Sequence, residues 1–102
     1  KEEFKLFRET ICKEINELMD AKNADYTAGG SVFSNFELTE EIGIPRLTGL
    51  TIRILDKIQR LKSFVNAGKL EVSGEGVEDV FKDLIGYSLI ALGMLHEEKS
   101  CD

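Results

Sequence analysis

Four side chains recur at four-residue spacing in the last third of the chain: Glu75, Asp79, Asp83 and Tyr87. On a helix this spacing stacks them into one slowly drifting row. Like charges at that spacing cost roughly 0.2–0.5 kcal/mol per exposed pair. The row therefore implies a compensating cation, either a metal ion or basic side chains. Carboxylate donors of this kind suit magnesium or manganese. The plainer alternative is a solvated acidic face near a helix N-terminus, where the dipole favours acids.

A second set, Arg53, Asp56, Lys57 and Arg60, falls within roughly a third of a helix circumference, opposite a Leu/Ile stripe. Asp56 can pair with Arg60, which leaves Arg53 and Lys57 as surplus positive charge. Guanidinium forks recognise phosphate oxygens in pairs, and lysine adds a point charge. An ordinary exposed helix face would look similar. Near the N-terminus, Glu14 lies at the flank of an apolar stripe, while Glu17 and Asp20 turn away from it. The pairs Asp25-Tyr26 and Asn35-Phe36 bracket Gly29-Gly30. Tyr26, Phe33 and Phe36 could stack on a base while the Asn35 amide reads its edge; alternatively, one of the two phenylalanines plugs the end of a helical bundle. His96, the sole histidine, suits a helix C-terminus better than a catalytic role. No Ser/His/Asp set, P-loop or GxGxxG is present, so no catalytic side chain is assigned.

The elements that must carry these groups are helices. Phe4, Phe7, Ile11, Ile15 and Leu18 form one apolar stripe on a helix over 2–25, with Glu2 and Glu3 at its positive end. Asn35 can cap a short helix running to about Ile42, which Gly43 stops. Pro45 suits the first turn of a long helix over 46–66, with Leu47, Leu50, Ile54, Ile58, Leu61 and Val65 on its apolar side. A Gly/Ser-rich connection follows, and Ser73 can cap a third long helix over 74–98. On that helix Val77, Phe81, Leu84, Ser88, Ala91 and Leu95 share a face, and from Ile85 onward it is apolar almost all round. A helix apolar on every side is buried on every side. The expectation is a single all-α domain over 1–102: a bundle of three long helices plus a short one, completed by oligomerisation as a dimer or higher.

Composition narrows the function. The chain has 102 residues, 42% hydrophobic and 31% charged, which suits one folded domain and not a disordered chain. Its net charge is −6, so duplex nucleic acid is a poor partner, because phosphate neutralisation supplies most of that affinity. A local basic pocket for one small phosphorylated ligand stays open. No apolar run reaches bilayer length and no signal-peptide pattern opens the chain. The chain begins at Lys1 without Met, as a processed or trimmed N-terminus would. Cys12 and Cys101 are far apart and have no CxxC spacing. That argues against a disulfide or zinc site and makes the reducing cytoplasm the default.

Taken in order, Lys22-x-x-Asp25-Tyr26, Asn35-Phe36, Arg53-x-x-Asp56-Lys57-x-x-Arg60 and Glu75-x-x-x-Asp79-x-x-x-Asp83-Leu84-x-x-Tyr87 resemble the small helical nucleotide modification associated domains common in phage genomes. Those are similar in turn to MazG-like, all-α nucleoside triphosphate pyrophosphatases. The resemblance covers about residues 10–95. It implies an oligomeric, nucleotide-binding bundle in the cytoplasm of a host cell, with Lys22, Asp25, Tyr26, Asn35, Phe36, Arg53, Lys57, Arg60, Asp83 and Tyr87 about the ligand. It also implies magnesium held by acids on two helices, with Glu14 and Glu17 as part of one set and Glu75 and Asp79 standing in for the other. Lys13 occupies the place of a paired glutamate, and Glu75 and Asp79 are spaced one residue too long. An incomplete acid set is the reason to expect a protein that sequesters a nucleotide, or a signal derived from one, and so blunts host signalling. A magnesium-dependent pyrophosphohydrolase is the alternative. A ligand-free oligomerisation module would not need three polar rows on three helices.

Overall fold

The computed structural model describes the backbone of residues 1–27, 34–72 and 74–100, and the side chains of 1–22, 36–72 and 74–99. Four helices carry almost all of it: α1 (Glu2–Thr27), α2 (Ser34–Glu41), α3 (Arg46–Ala67) and α4 (Val77–Ser100), with β1 (Glu71–Val72) and β2 (Glu75–Gly76) between the last two. The chain divides into two compact units, Lys1–Val32 and Phe33–Asp102.

The first unit contributes α1. Its first turn carries Glu2 and Glu3 at the positive end of the dipole. Phe4, Leu6 and Phe7 are exposed, and Arg8 sits 6.0 Å from the Phe4 ring centroid. Cys12 is an exposed free thiol on this helix.

The second unit is built on α3 and α4. Arg46 at the start of α3 pairs with Glu97 near the end of α4 at 2.9 Å, while Arg60 pairs with Glu75 just ahead of α4. The two helices therefore run antiparallel. Glycines set the limits of the elements before and between them. After α2, Gly43 adopts φ 83°; its N–H donates to the Glu40 carbonyl at 3.0 Å, and the Ile44 N–H donates to the Thr39 carbonyl at 2.9 Å. Gly68 repeats this closure on α3, with φ 65° and N–H donation from Gly68 to Val65 and from Lys69 to Phe64. Both are Schellman turns, in which a residue without Cβ takes the left-handed position and satisfies the last carbonyls.

The core of this unit is Phe36, Leu50 and Met94, with Leu47, Ile54, Tyr87, Ile90 and Ala91 packed about it. Val80 and Phe64 are buried as well. α2 approaches α3 closely at Gly49, where an added Cβ would lie 2.9 Å from the Thr39 methyl.

Three expectations are corrected here. The third long helix begins at Val77, not at 74, because Gly74 (φ 79°) turns the chain between two short antiparallel strands that pair Val72 with Glu75. Ser73, expected as its cap, lies outside the described residues. The packed face of α4 carries Val80, Leu84, Tyr87, Ala91 and Met94, whereas Phe81, Ser88 and Leu95 of the expected stripe are exposed. Leu84 and Ala91 are common to both faces, so the helix is turned by about half a residue step, roughly 50°, from the sequence reading. On α3 the inward positions are Leu47, Leu50, Ile54, Lys57, Leu61 and Phe64, while Ile58 and Val65 are exposed. The polar Lys57 stands within the packed seam that apolar periodicity assigned to Ile58.

Candidate functional site

The turn of α4 and the seam position of Lys57 have one cause: their charged groups meet. The Lys57 side chain, only 13% exposed, places Nζ 2.9 Å from Asp83 Oδ2 on α4 and 3.5 Å from Glu75 Oε1 on β2. Arg60 Nη1 lies 2.6 Å from Glu75 Oε2, and Arg60 Nε lies 3.2 Å from Asp56 Oδ2 one turn earlier. Glu75 is thereby gripped by two cations, one on each carboxylate oxygen. The hairpin makes this possible, since it carries Glu75 off the α4 axis and back over the C-terminal half of α3.

The electrostatics follow the geometry. Burial alone would lower the Lys57 pKa, but the hydrogen bond to Asp83 and the charges of Asp83, Glu75 and Tyr87 outweigh it, and the ammonium is held above its ordinary value of 10.5. The Arg60 guanidinium is likewise raised, chiefly by its hydrogen bond to Asp56 and then by Glu75. The expected Asp56–Arg60 pair is present. Lys57 is not surplus charge, as the sequence suggested, because two acids already meet it.

Arg53 differs. It lies one turn before Lys57, is exposed, and holds its guanidinium 4.9 Å from the centroid of the Phe36 ring. Among the described residues it has no carboxylate partner. Phe36 itself is 4% exposed and belongs to the core. It plugs the core, and Arg53 roofs one part of its ring. Tyr87 packs against the same core cluster and is close enough to Lys57 to influence its charge. The structure thus brings together Phe36, Arg53, Lys57, Arg60, Glu75, Asp83 and Tyr87 within the second unit.

The remaining expected residues stand as follows. Asp79 is exposed on the first turn of α4, and Glu14, Glu17 and Lys22 are exposed on α1 in the first unit. The side chains of Asp25, Tyr26 and Asn35 lie outside the described residues. The acid row is broken at its first member, since Glu75 is on a strand. Basic side chains, one of the two compensating cations considered, meet Glu75 and Asp83. No group of three or more His, Cys, Asp or Glu able to hold a metal ion occurs among the described residues. Within the second unit the surroundings of Glu75 do not suit magnesium, because both its oxygens face cations.

Sequence reasoning missed the seam role of Lys57 and the Arg46–Glu97 pair. The first had a signal: Leu50, Ile54, Lys57, Leu61 and Phe64 follow a strict four-three alternation that Lys57 interrupts only in polarity.

Two helices joined by a half-buried ion-pair cluster, beside one exposed arginine on an aromatic ring, define a small α-helical domain. The chain belongs to the nucleotide modification associated domain 1 family, whose family model matches residues 22–95. That span takes in every residue of the cluster and leaves Glu14 and Glu17 outside. Comparison with curated proteins and with solved structures gave no match. Among the described residues no helix is long and apolar enough to cross a membrane.

Proposed function

We propose that this protein binds a small nucleotide on the α3–α4 face of its second unit and holds it without cleaving it. The observation that carries the reading is Arg53. A guanidinium fixed over an aromatic ring, and unmatched by a carboxylate, is oriented for two phosphate oxygens before any ligand arrives. Lys57 and Arg60 add field but not vacancy, because their acids already satisfy them. Retention without turnover is supported by the engagement of Glu75: the carboxylate that a hydrolytic metal would need is tied to Lys57 and Arg60. In this reading the protein serves as a sponge for a nucleotide or nucleotide-derived signal.

We also propose that a second copy covers the outer face of α4. Phe81, Ile85, Ser88, Leu92 and Leu95 follow the four-three spacing of a helix–helix seam, and Phe81, Ile85 and Leu92 are 53%, 43% and 63% exposed. Phe81, Ile85, Ser88 and Leu92, with Leu84 and Leu89, line a shallow apolar groove of about 340 Å³.

The test is incubation with a nucleotide panel, with and without magnesium, followed by chromatography before and after heat denaturation. The expected result is a nucleotide that leaves solution and returns unchanged on heating. Arg53→Ala should weaken that capture by roughly 10- to 150-fold, the loss of one charged hydrogen-bonded contact of 1.5–3 kcal/mol. New products would replace retention by hydrolysis, and an unchanged affinity in Arg53→Ala would remove Arg53 from the site.

A further inference from the structure

We infer that the ligand meets this site through a singly charged phosphodiester and not through a free di- or triphosphate, an inference that rests on the nucleotide reading above. The cations that the contacts place on this face are Arg53, Lys57 and Arg60. Lys57 is within 3.5 Å of both Asp83 and Glu75, and Arg60 contacts both Glu75 and Asp56. Three carboxylates therefore surround two cations, and exposed Asp79 adds a fourth acid on the same helix as Asp83. Without Arg53 the local balance is negative, in a chain whose net charge is already −6. One guanidinium balances one negative charge, and a phosphodiester carries one.

Of Arg53, Lys57 and Arg60, only Arg53 lacks a carboxylate partner among the described residues, so a further charge on a ligand meets cations that acids already hold. A terminal phosphate carries about −1.5 to −2 at neutral pH, and a polyphosphate tail adds more beside Glu75 and Asp83. Lys57 does not turn outward to meet it. Its side chain is 13% exposed in the α3–α4 seam, and withdrawing it would leave two half-buried carboxylates facing each other. The same acids that fix the lysine thus repel a polyanion, so the face selects by charge state.

The experiment is calorimetric titration of the full chain with three forms of each common nucleoside: the 5′-phosphate methyl ester, the 5′-monophosphate and the 5′-triphosphate. It is run once in chelator and once in magnesium. The diester of the preferred base should bind at least about tenfold more tightly than its triphosphate, a difference of ~1.4 kcal/mol, in both conditions. Glu75→Gln removes one local charge and leaves Arg60 with Asp56, so it should narrow the gap at least about threefold. Affinity that rises with phosphate number in either condition, or a gap that Glu75→Gln leaves unchanged, overturns the charge-state inference and leaves nucleotide binding standing. Failure of every form to bind overturns both.

Discussion

Replacing Lys57 by Met tests the half-buried cluster most directly. Met keeps the length and apolar stem of the side chain, so the loss is chiefly the ammonium. Exposed ion pairs are worth roughly 0.2–1 kcal/mol, and breaking a fully buried one costs roughly 3–5 kcal/mol. Lys57, Glu75 and Asp83 are 13%, 20% and 24% exposed, so the site lies between these limits. Lys57→Met leaves two acids without their shared cation, and we expect a loss of about 2 kcal/mol, or roughly 30-fold in the folding equilibrium. For a chain of this size that lowers Tm by roughly 8–16 °C. Urea denaturation followed by circular dichroism gives the value, and a double-mutant cycle with Asp83→Asn isolates the pair. Coupling below about 0.3 kcal/mol, the level at which independent sites simply add, would refute the cluster as the tie between α3 and α4. The pH dependence has a definite sign. A pKa raised on folding contributes stability below the unfolded value, near 10.4, and that contribution is lost as pH climbs through the folded value. The stability gap between the parent and Lys57→Met should therefore be flat through neutral pH and close on the alkaline side as pH rises above ~10.

Other outcomes follow from single contacts. Gly49→Ala would place a methyl 2.9 Å from the Thr39 methyl and 3.2 Å from its hydroxyl, and that hydroxyl is fixed on the Phe36 carbonyl at 2.7 Å. Overpacking should outweigh the helix-propensity gain of about 1 kcal/mol and leave a net loss of about 1–2 kcal/mol; Thr39→Ala in the same chain should restore it, as measured by urea denaturation. Leu92→Glu, on the outer face of α4, should shift the protein to a monomer in sedimentation velocity while helicity stays unchanged. A mass that is monomeric in both proteins would remove the proposed seam. Arg53→Ala should lower Tm by roughly 2–8 °C, since an exposed cation–π contact is worth only about 0.5–1 kcal/mol, so the protein stays folded at the temperature of the capture assay.

The helices were legible because their stripes and stops are local. Gly43 and Gly68 end α2 and α3 where glycine after an apolar turn implies a left-handed close, and the start of α3 at Arg46 follows Pro45 directly. The rotation of α4 was not legible. On a helix apolar nearly all round, periodicity gives several equivalent faces, and the choice among them was made by Asp83 reaching Lys57, a contact between residues far apart in sequence. The same contact explains the misreading of Lys57, since polarity marks a residue as outward unless its partner is known. Glu75 was misplaced because four-residue spacing looks continuous from Glu75 to Asp79, while the helix begins only at Val77, between them. Arg53 was read as surplus charge, and among the described residues it has no carboxylate partner: Asp56 lies one turn from both Arg53 and Arg60 and pairs with Arg60.

The antiparallel arrangement of α3 and α4 also has a kinetic consequence. Their connection, residues 68–76, is short and already bent back on itself by Gly68 and Gly74, so closing it costs little chain entropy. Contacts at that end join residues close in sequence, whereas Phe36 reaches Met94 across most of the second unit. Local contacts form before distant ones repay their loop closure. The α3–α4 hairpin should therefore nucleate folding, and α2 should dock afterwards. In stopped-flow chevrons, Val80→Ala, near the hairpin, should slow refolding, while Phe36→Leu should mainly hasten unfolding.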